Sequence, residues 1–182
     1  GQGTINVMRC TQRNAEQGIA VNLICLCGRN EKLRADVQSL STPYPVAALG
    51  FSPDPPVAVH RVADFLIGKP GTMTLNESLI TKTPFIFIKS IGLDIVQGAN
   101  ERWVQEQGFG VMAETPDTVD RAVLQVLDNA EMRERIEACQ HRGIFDAVDI
   151  IRDLIERDDE EGSGEKTSSE IDRFIGQPSD VV

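Results

Sequence analysis

Glycines and small polar residues recur where short apolar runs of this chain end, and backbone amides at such places can face a ligand. The segment Gly68-Lys69-Pro70-Gly71-Thr72 follows an apolar run, and Gly71-Thr72-Met73-Thr74 opens a helical stretch. A helix starting there leaves amides without intrahelical partners and points its positive dipole end outward, which suits a diphosphate. Glu77 falls in the first turns of that helix, where its carboxylate can accept hydrogen bonds from a ribose diol. Taken alone, these residues fit equally well a strand-ending glycine turn and an acid that favours the helix dipole. Gly28-Arg29-Asn30 and Gly50-Phe51-Ser52 end two further runs, and Gly1-Gln2-Gly3-Thr4 precedes a helix. Lys69 and Arg29 each read either as phosphate contacts or as solvated turn residues. Asn100, at a helix start, reads as serving local backbone hydrogen bonding, and Trp103 and Phe109 read as core.

The elements that must position these residues alternate. Apolar spacing predicts helices over 4–17, 31–40, 57–62, 73–81, 97–107 and 115–127, with strands over 20–27, 45–49, 64–67, 85–88 and 109–112. Thr115-Pro116-Asp117 is a helix start with a hydroxyl cap, a first-turn proline and an early carboxylate. A run such as Phe85-Ile86-Phe87-Ile88 is apolar throughout, as expected of a strand covered by helices on both sides. The alternation implies an α/β, Rossmann-like, doubly wound parallel sheet, whose ligands bind beyond the carboxyl ends of the strands. Helical pattern continues from 130 to about 157 with a break near Gly143, and the acidic stretch 158–182 is expected to be a disordered tail.

Charge narrows the partners. The net charge is -10, and residues 152–182 carry ten acidic against four basic side chains, so the rest of the chain is only mildly acidic. With no basic stripe interleaved with aromatics, nucleic acid is not an expected partner. The four cysteines, Cys10, Cys25, Cys27 and Cys139, include no CxxC, and His60 and His141 stand apart from them. They read as reduced, mostly buried thiols in a reducing compartment; no metal site is expected. No 18-residue apolar window occurs, and the start shows neither a signal-peptide nor a transit-peptide pattern.

The run from Phe65 through Gly71-Thr72-Met73-Thr74 and Glu77 to Leu79, then Thr83-Pro84-Phe85-Ile86, Gln97-Gly98-Ala99-Asn100 and Gly108-Phe109-Gly110, resembles the C-terminal domain of monogalactosyldiacylglycerol synthases. The related N-acetylglucosamine transferase that makes lipid II belongs to the same family, glycosyltransferase family 28. Leu23 to Asn30 and Gly50-Phe51 are also similar to that family's pattern. The resemblance covers roughly residues 1–155.

The resemblance implies the C-terminal, donor-binding half of a GT-B fold over residues 1–157, with a UDP-sugar as donor substrate and no cofactor. By position, it places Gly1, Gln2, Gly3 and Thr4 at the end of the glycine loop near the diphosphate. It places Phe51 and Ser52 beside the uracil, and Gly71, Thr72, Met73 and Thr74 at the phosphates. Glu77 falls at the ribose, with Asp94 and Gln97 near the donor sugar. The implied reaction moves a hexose to a lipid hydroxyl. The general base and the lipid-docking surface belong to an N-terminal domain, so no residue here is expected to be catalytic, and the chain is expected to be an N-terminally truncated fragment, inactive alone. The expected partners are the UDP-sugar and, through the N-terminal domain, a lipid acceptor and a membrane surface, either a cytoplasmic face or a plastid envelope. The rivals are the donor subunit of a split two-chain transferase, a UDP-sugar epimerase, and a non-catalytic nucleotide-binding or interaction domain. The proline-rich Ser52-Pro53-Asp54-Pro55-Pro56 departs from the family beside the base.

Overall fold

The computed structural model describes residues 2–89 and 95–161. Its chain divides into two compact units, Gly1–His141 and Arg142–Val182. The first unit runs α1 (Gln2–Glu16), β1 (Leu23–Gly28), α2 (Glu31–Ser39), β2 (Val46–Gly50), α3 (Val57–Val62), β3 (Leu66–Gly68) and α4 (Thr72–Thr81). It continues with β4 (Phe85–Ile88), α5 (Ile95–Gln107), β5 (Gly110–Ala113), a 3-10 turn (Pro116–Thr118), α6 (Val119–Leu127) and α7 (Ala130–Ala138). The second unit holds α8 (Gly143–Glu161). Of the acidic stretch expected to form a tail, residues 158–161 continue α8, and 162–182 lie outside the described residues.

Among the described residues every strand pair is parallel, as the alternating pattern requires, and each crossover carries a helix. The strands form two sheets, β1-β2 and β3-β4-β5. In the second sheet the Phe85-Ile86-Phe87 run divides its side chains between two cores. Ile86 packs with Val7 and Cys10 of α1, Val119, Val123 and Val126 of α6, and Ile136 of α7. Phe85 and Phe87 point the other way, onto Leu75 and Leu79 of α4 and Val104 of α5. Burial on both faces is why this strand needs no polar alternation. Met8 of α1 packs instead with Cys25 and Cys27 of β1 and Leu33 and Val37 of α2. One helix therefore contributes to the cores of both sheets.

Local chemistry sets several ends. The Asn30 side chain accepts from the Leu33 amide at 2.9 Å and starts α2, and Asn129 does the same for α7 through Met132 at 2.9 Å. At Thr115 the expected helix start becomes a capping box and a 3-10 turn, and the α-helix proper begins only at Val119. Lys82 ends α4 in the left-handed conformation, φ 60°, and its ammonium donates to the carbonyls of Ile136 (3.1 Å) and Cys139 at the end of α7.

All four cysteines are free thiols, and Cys10, Cys25 and Cys27 are buried. Burial, with a contribution from Cys27, pushes the Cys25 thiol up to about 11. Among the described residues no three His, Cys, Asp or Glu side chains gather into a metal-binding group.

Candidate functional site

The start of α4 has the shape to hold an anion. The Gly71 amide donates to the Lys69 carbonyl at 2.8 Å, folding the loop after β3 tightly. Gly71 then takes an extended backbone (φ -69°, ψ 141°), and its carbonyl accepts the first helical bond, from Leu75, at 3.0 Å. Among the described residues no side chain caps this end, as is also true of α3 and α6, whereas α2 and α7 are both capped by asparagine. The first-turn amides of a ten-residue helix are thus left to water or a ligand, with the dipole's positive end behind them. Thr72 and Met73 are exposed and Thr74 half-buried. Lys69, just before, is exposed.

Two asparagines brace this end. Asn100 donates to the Pro70 carbonyl at 2.8 Å and to Thr72 Oγ1 at 3.2 Å, tying α5 to a loop 30 residues earlier. Asn76 donates to the Thr72 carbonyl at 2.7 Å, and its own oxygen meets His141 Nε2 at 2.5 Å. Asn100, expected to serve only local backbone bonding, is therefore a long-range strap on the α4 start. Its bonds depend on which residues the sheet brings opposite α5, and spacing along the chain does not carry that.

Glu77 sits near the middle of α4 with its side chain 17% exposed. Its Oε2 lies 3.6 Å from Nδ1 of His60 on α3, an electrostatic contact too long for a hydrogen bond. His60 is only 4% exposed, and burial lowers its imidazole below the ordinary histidine range while Glu77 pulls it up. Sequence reasoning considered His60 only as a zinc ligand; the signal for its place beside Glu77 lies in the packing of α3 on α4.

Phe51 and Ser52 stand at the carboxyl end of the other sheet, directly after β2. Phe51 is 58% exposed, and the Arg29 guanidinium, just past the end of β1, stacks 4.3 Å from its ring centroid. The pairing of Gly28 with Gly50 makes that stacking possible, since it sets the next residues of both strands side by side. Arg29, left open between a phosphate contact and a bare turn, is thus a cation over an exposed aromatic ring. Ser52 accepts from the Asp54 amide at 3.1 Å and shapes the proline-rich loop locally. Of the two aromatics expected in the core, Phe109 joins it, while Trp103 is 38% exposed and packs on Phe109 from outside, with centroids 5.4 Å apart.

Gly3 and Thr4 lie in the first turn of α1, which takes in Gln2 as well, so these residues are helical. Amides in a helix's first turn lack intrahelical partners, so they present donors as a loop would. A Cβ added at Gly3 would meet nothing within 4 Å. Gln97 falls in the first turn of α5. Gly1 and Asp94 lie outside the described residues. The structure thus groups Gly71 to Glu77 at the end of β3, and Phe51 and Ser52 with Arg29 at the ends of β1 and β2.

Against known proteins, the sequence model described as "Glycosyltransferase family 28 C-terminal domain" matches residues 4–154. The probable monogalactosyldiacylglycerol synthase 3, chloroplastic, of Oryza sativa subsp. japonica is 29% identical over 161 residues, covering 86% of this chain and 31% of the relative. Monogalactosyldiacylglycerol synthase 2, chloroplastic, of Arabidopsis thaliana is 30% identical over 74% of this chain and 30% of its own length. The processive diacylglycerol beta-glucosyltransferase of Bacillus pumilus is 23% identical over 76% of this chain and 37% of its own. This chain therefore spans about a third of the length of these relatives. Among solved structures, MurG of Acinetobacter baumannii superposes with a TM-score of 0.58 at 19% identity, over 74% of this chain and 42% of MurG. At that identity the likeness speaks for the fold, and the fold is the expected one: a parallel α/β half of a GT-B glycosyltransferase.

Proposed function

Because this chain belongs to glycosyltransferase family 28 through that family's C-terminal domain, we propose that it is the nucleotide-sugar-binding half of a hexosyltransferase. The donor is a UDP-sugar, UDP-galactose or UDP-glucose, and the acceptor is the hydroxyl of a diacylglycerol-type lipid at a membrane surface. The observation that carries this reading is the open start of α4: uncapped amides, a supporting strap from Asn100, and a half-buried carboxylate on the same helix. Relatives that cover most of this chain carry lipid glycosyltransferase names, which supports the acceptor class. Among the described residues no helix is long and apolar enough to cross a membrane, and contact with the lipid is assigned to the part of the enzyme that docks the acceptor.

In this reading the Gly71, Thr72, Met73 and Thr74 backbone receives the diphosphate, with Gly3 and Thr4 at the start of α1 as a second set of amides. Glu77 accepts hydrogen bonds from the ribose diol, and Phe51 and Ser52 meet the base. Asp94 and Gln97 attend the sugar. The acceptor hydroxyl attacks the anomeric carbon, the bond from that carbon to the diphosphate oxygen breaks, and UDP departs with the electron pair. The acceptor's proton goes to a base in the acceptor-binding part of the enzyme. The contribution of this chain is to hold the donor and stabilise the charge that develops on the leaving diphosphate, through amides already oriented by the fold.

Calorimetric titration of the full chain with UDP, ADP and the two UDP-sugars tests this. UDP is expected to bind and ADP not to, and Glu77→Ala to weaken UDP by about 1–3 kcal/mol, the cost of losing hydrogen bonds to a charged group. A folded chain that binds no nucleotide overturns the reading.

A further inference from the structure

We propose that His60 is the positioning residue for the carboxylate of Glu77, donating from Nδ1 to Oε2 so that Oε1 is left free for the nucleotide's ribose diol. This inference rests on the donor-site reading of Glu77 given above.

Three observations carry it. First, His60 Nδ1 is buried and, among the described residues, has no hydrogen-bond partner, while the Glu77 carboxylate oxygen Oε2 lies 3.6 Å from it. A buried polar atom without a partner is uncommon in a folded protein, and this one faces the carboxylate assigned to the ligand. Second, the backbone of His60 is pinned. Its carbonyl accepts from Thr83 Oγ1 at 2.9 Å and from the Ala63 amide at 3.2 Å, and Thr83 is in turn tied to Ser78 on α4 through a 2.7 Å bond to its carbonyl. The backbone that carries the ring is therefore anchored to the same helix that carries Glu77. Third, the two side chains differ in exposure, 5% for His60 and 17% for Glu77, so the ring is the more deeply buried partner and the Glu77 side chain keeps some access to solvent.

The ring stays neutral near pH 7 because burial disfavours its charged form. A neutral N–H orients a carboxylate without cancelling its charge, leaving the second oxygen a strong acceptor for two vicinal hydroxyls. Closing from 3.6 Å to an ordinary N–H···O distance of about 2.9 Å needs a movement of roughly 0.7 Å, within reach of a rotation about the Glu77 side chain. Binding of the diol, which fixes that side chain, then completes the bond.

The test uses the full chain, UDP, and 2′,3′-dideoxy-UDP, which lacks the diol. His60→Leu is expected to weaken UDP about 5- to 10-fold, the effect of one hydrogen bond of ordinary strength acting through Glu77, and His60→Asn, whose amide can replace the Nδ1 donor, to stay within about 2-fold of the parent. The His60→Leu effect should vanish with dideoxy-UDP and in a Glu77→Gln background. Nitrogen-15 spectra of the unmodified protein should place the ring proton on Nδ1, a readout that does not depend on any variant folding. The proposal alone is overturned if folded His60→Leu binds UDP like the parent, if it weakens both nucleotides equally, or if the proton sits on Nε2. Absence of UDP binding to the parent, or no effect of Glu77→Gln, overturns the donor-site reading itself and this inference with it.

Discussion

Replacing Asn100 tests whether the α4 start is a prepared anion seat or an ordinary loop. Its amide group makes a 2.8 Å bond to the carbonyl of buried Pro70 and a 3.2 Å bond to the exposed Thr72 hydroxyl. Removing the first leaves a part-buried carbonyl without its donor, at a cost of about 1–1.5 kcal/mol; the second, longer and solvated, adds at most about 0.5 kcal/mol. Asn100→Ala should therefore lose about 1–2 kcal/mol, seen as a fall in melting temperature of roughly 2–8 °C for a domain of this size. If the strap also holds the phosphate-facing amides in place, UDP affinity falls about 5- to 30-fold by the same energy. Asn100→Asp separates hydrogen bonding from shape: it keeps the outline, loses both donors, and sets a negative charge beside a carbonyl and a diphosphate. The expected order of UDP affinity is the parent, then the alanine variant, then the aspartate variant, whose deficit shrinks as salt is raised. Calorimetry at two ionic strengths, with melts as folding controls, measures all of this. An Asn100→Asp protein that binds UDP as well as the parent would refute the reasoning, because neither the donors nor the local charge would then matter.

Since burial holds His60 below its ordinary pKa of 6.5, the unfolded chain takes up a proton before the folded chain does, so stability falls as pH drops through about 6.5 and levels off below the folded pKa. Melts of the parent and His60→Asn from pH 8 to 5 should differ by that increment; a parent that gains stability over the same range would mean the attraction to Glu77 dominates. Gly110→Ala would set a Cβ 2.4 Å from the Phe85 carbonyl oxygen and 3.0 Å from Val104, so β5 must shift off β4; urea unfolding should show a loss of about 2–4 kcal/mol. Arg13 bonds Asp120 at 2.7 Å across α1 and α6 and holds that carboxyl below its usual range, yet the arginine is 44% exposed. Asp120→Asn should therefore cost no more than about 1 kcal/mol at neutral pH, and a much larger loss in chemical denaturation would place the pair in the core.

Much of the architecture was legible without coordinates because it is local. Phe85-Ile86-Phe87-Ile88 had to be a strand covered on both sides, and Gly71-Thr72 had to open a helix after one. The pattern and the family's motifs together identified a parallel α/β domain of the glycosyltransferase family 28 C-terminal kind. Strand ends were less legible: the run expected over 64–67 is β3 at Leu66–Gly68, and that expected over 109–112 is β5 at Gly110–Ala113. Apolar character marks what is buried, whereas a strand's limits depend on which neighbour offers hydrogen bonds, here the register Leu66 to Phe85 and Phe85 to Gly110. The site divides the same way. Sequence alone determined the residue types that can meet a nucleotide, since backbone amides, a carboxylate and glycines are properties of a short stretch of chain. Only the tertiary structure decided that His60 faces Glu77, that Asn100 grips Pro70 and that Arg29 covers Phe51. Those contacts join residues 17 to 30 positions apart, and such partners are chosen by the packing of helices on a twisted parallel sheet rather than by spacing along the chain.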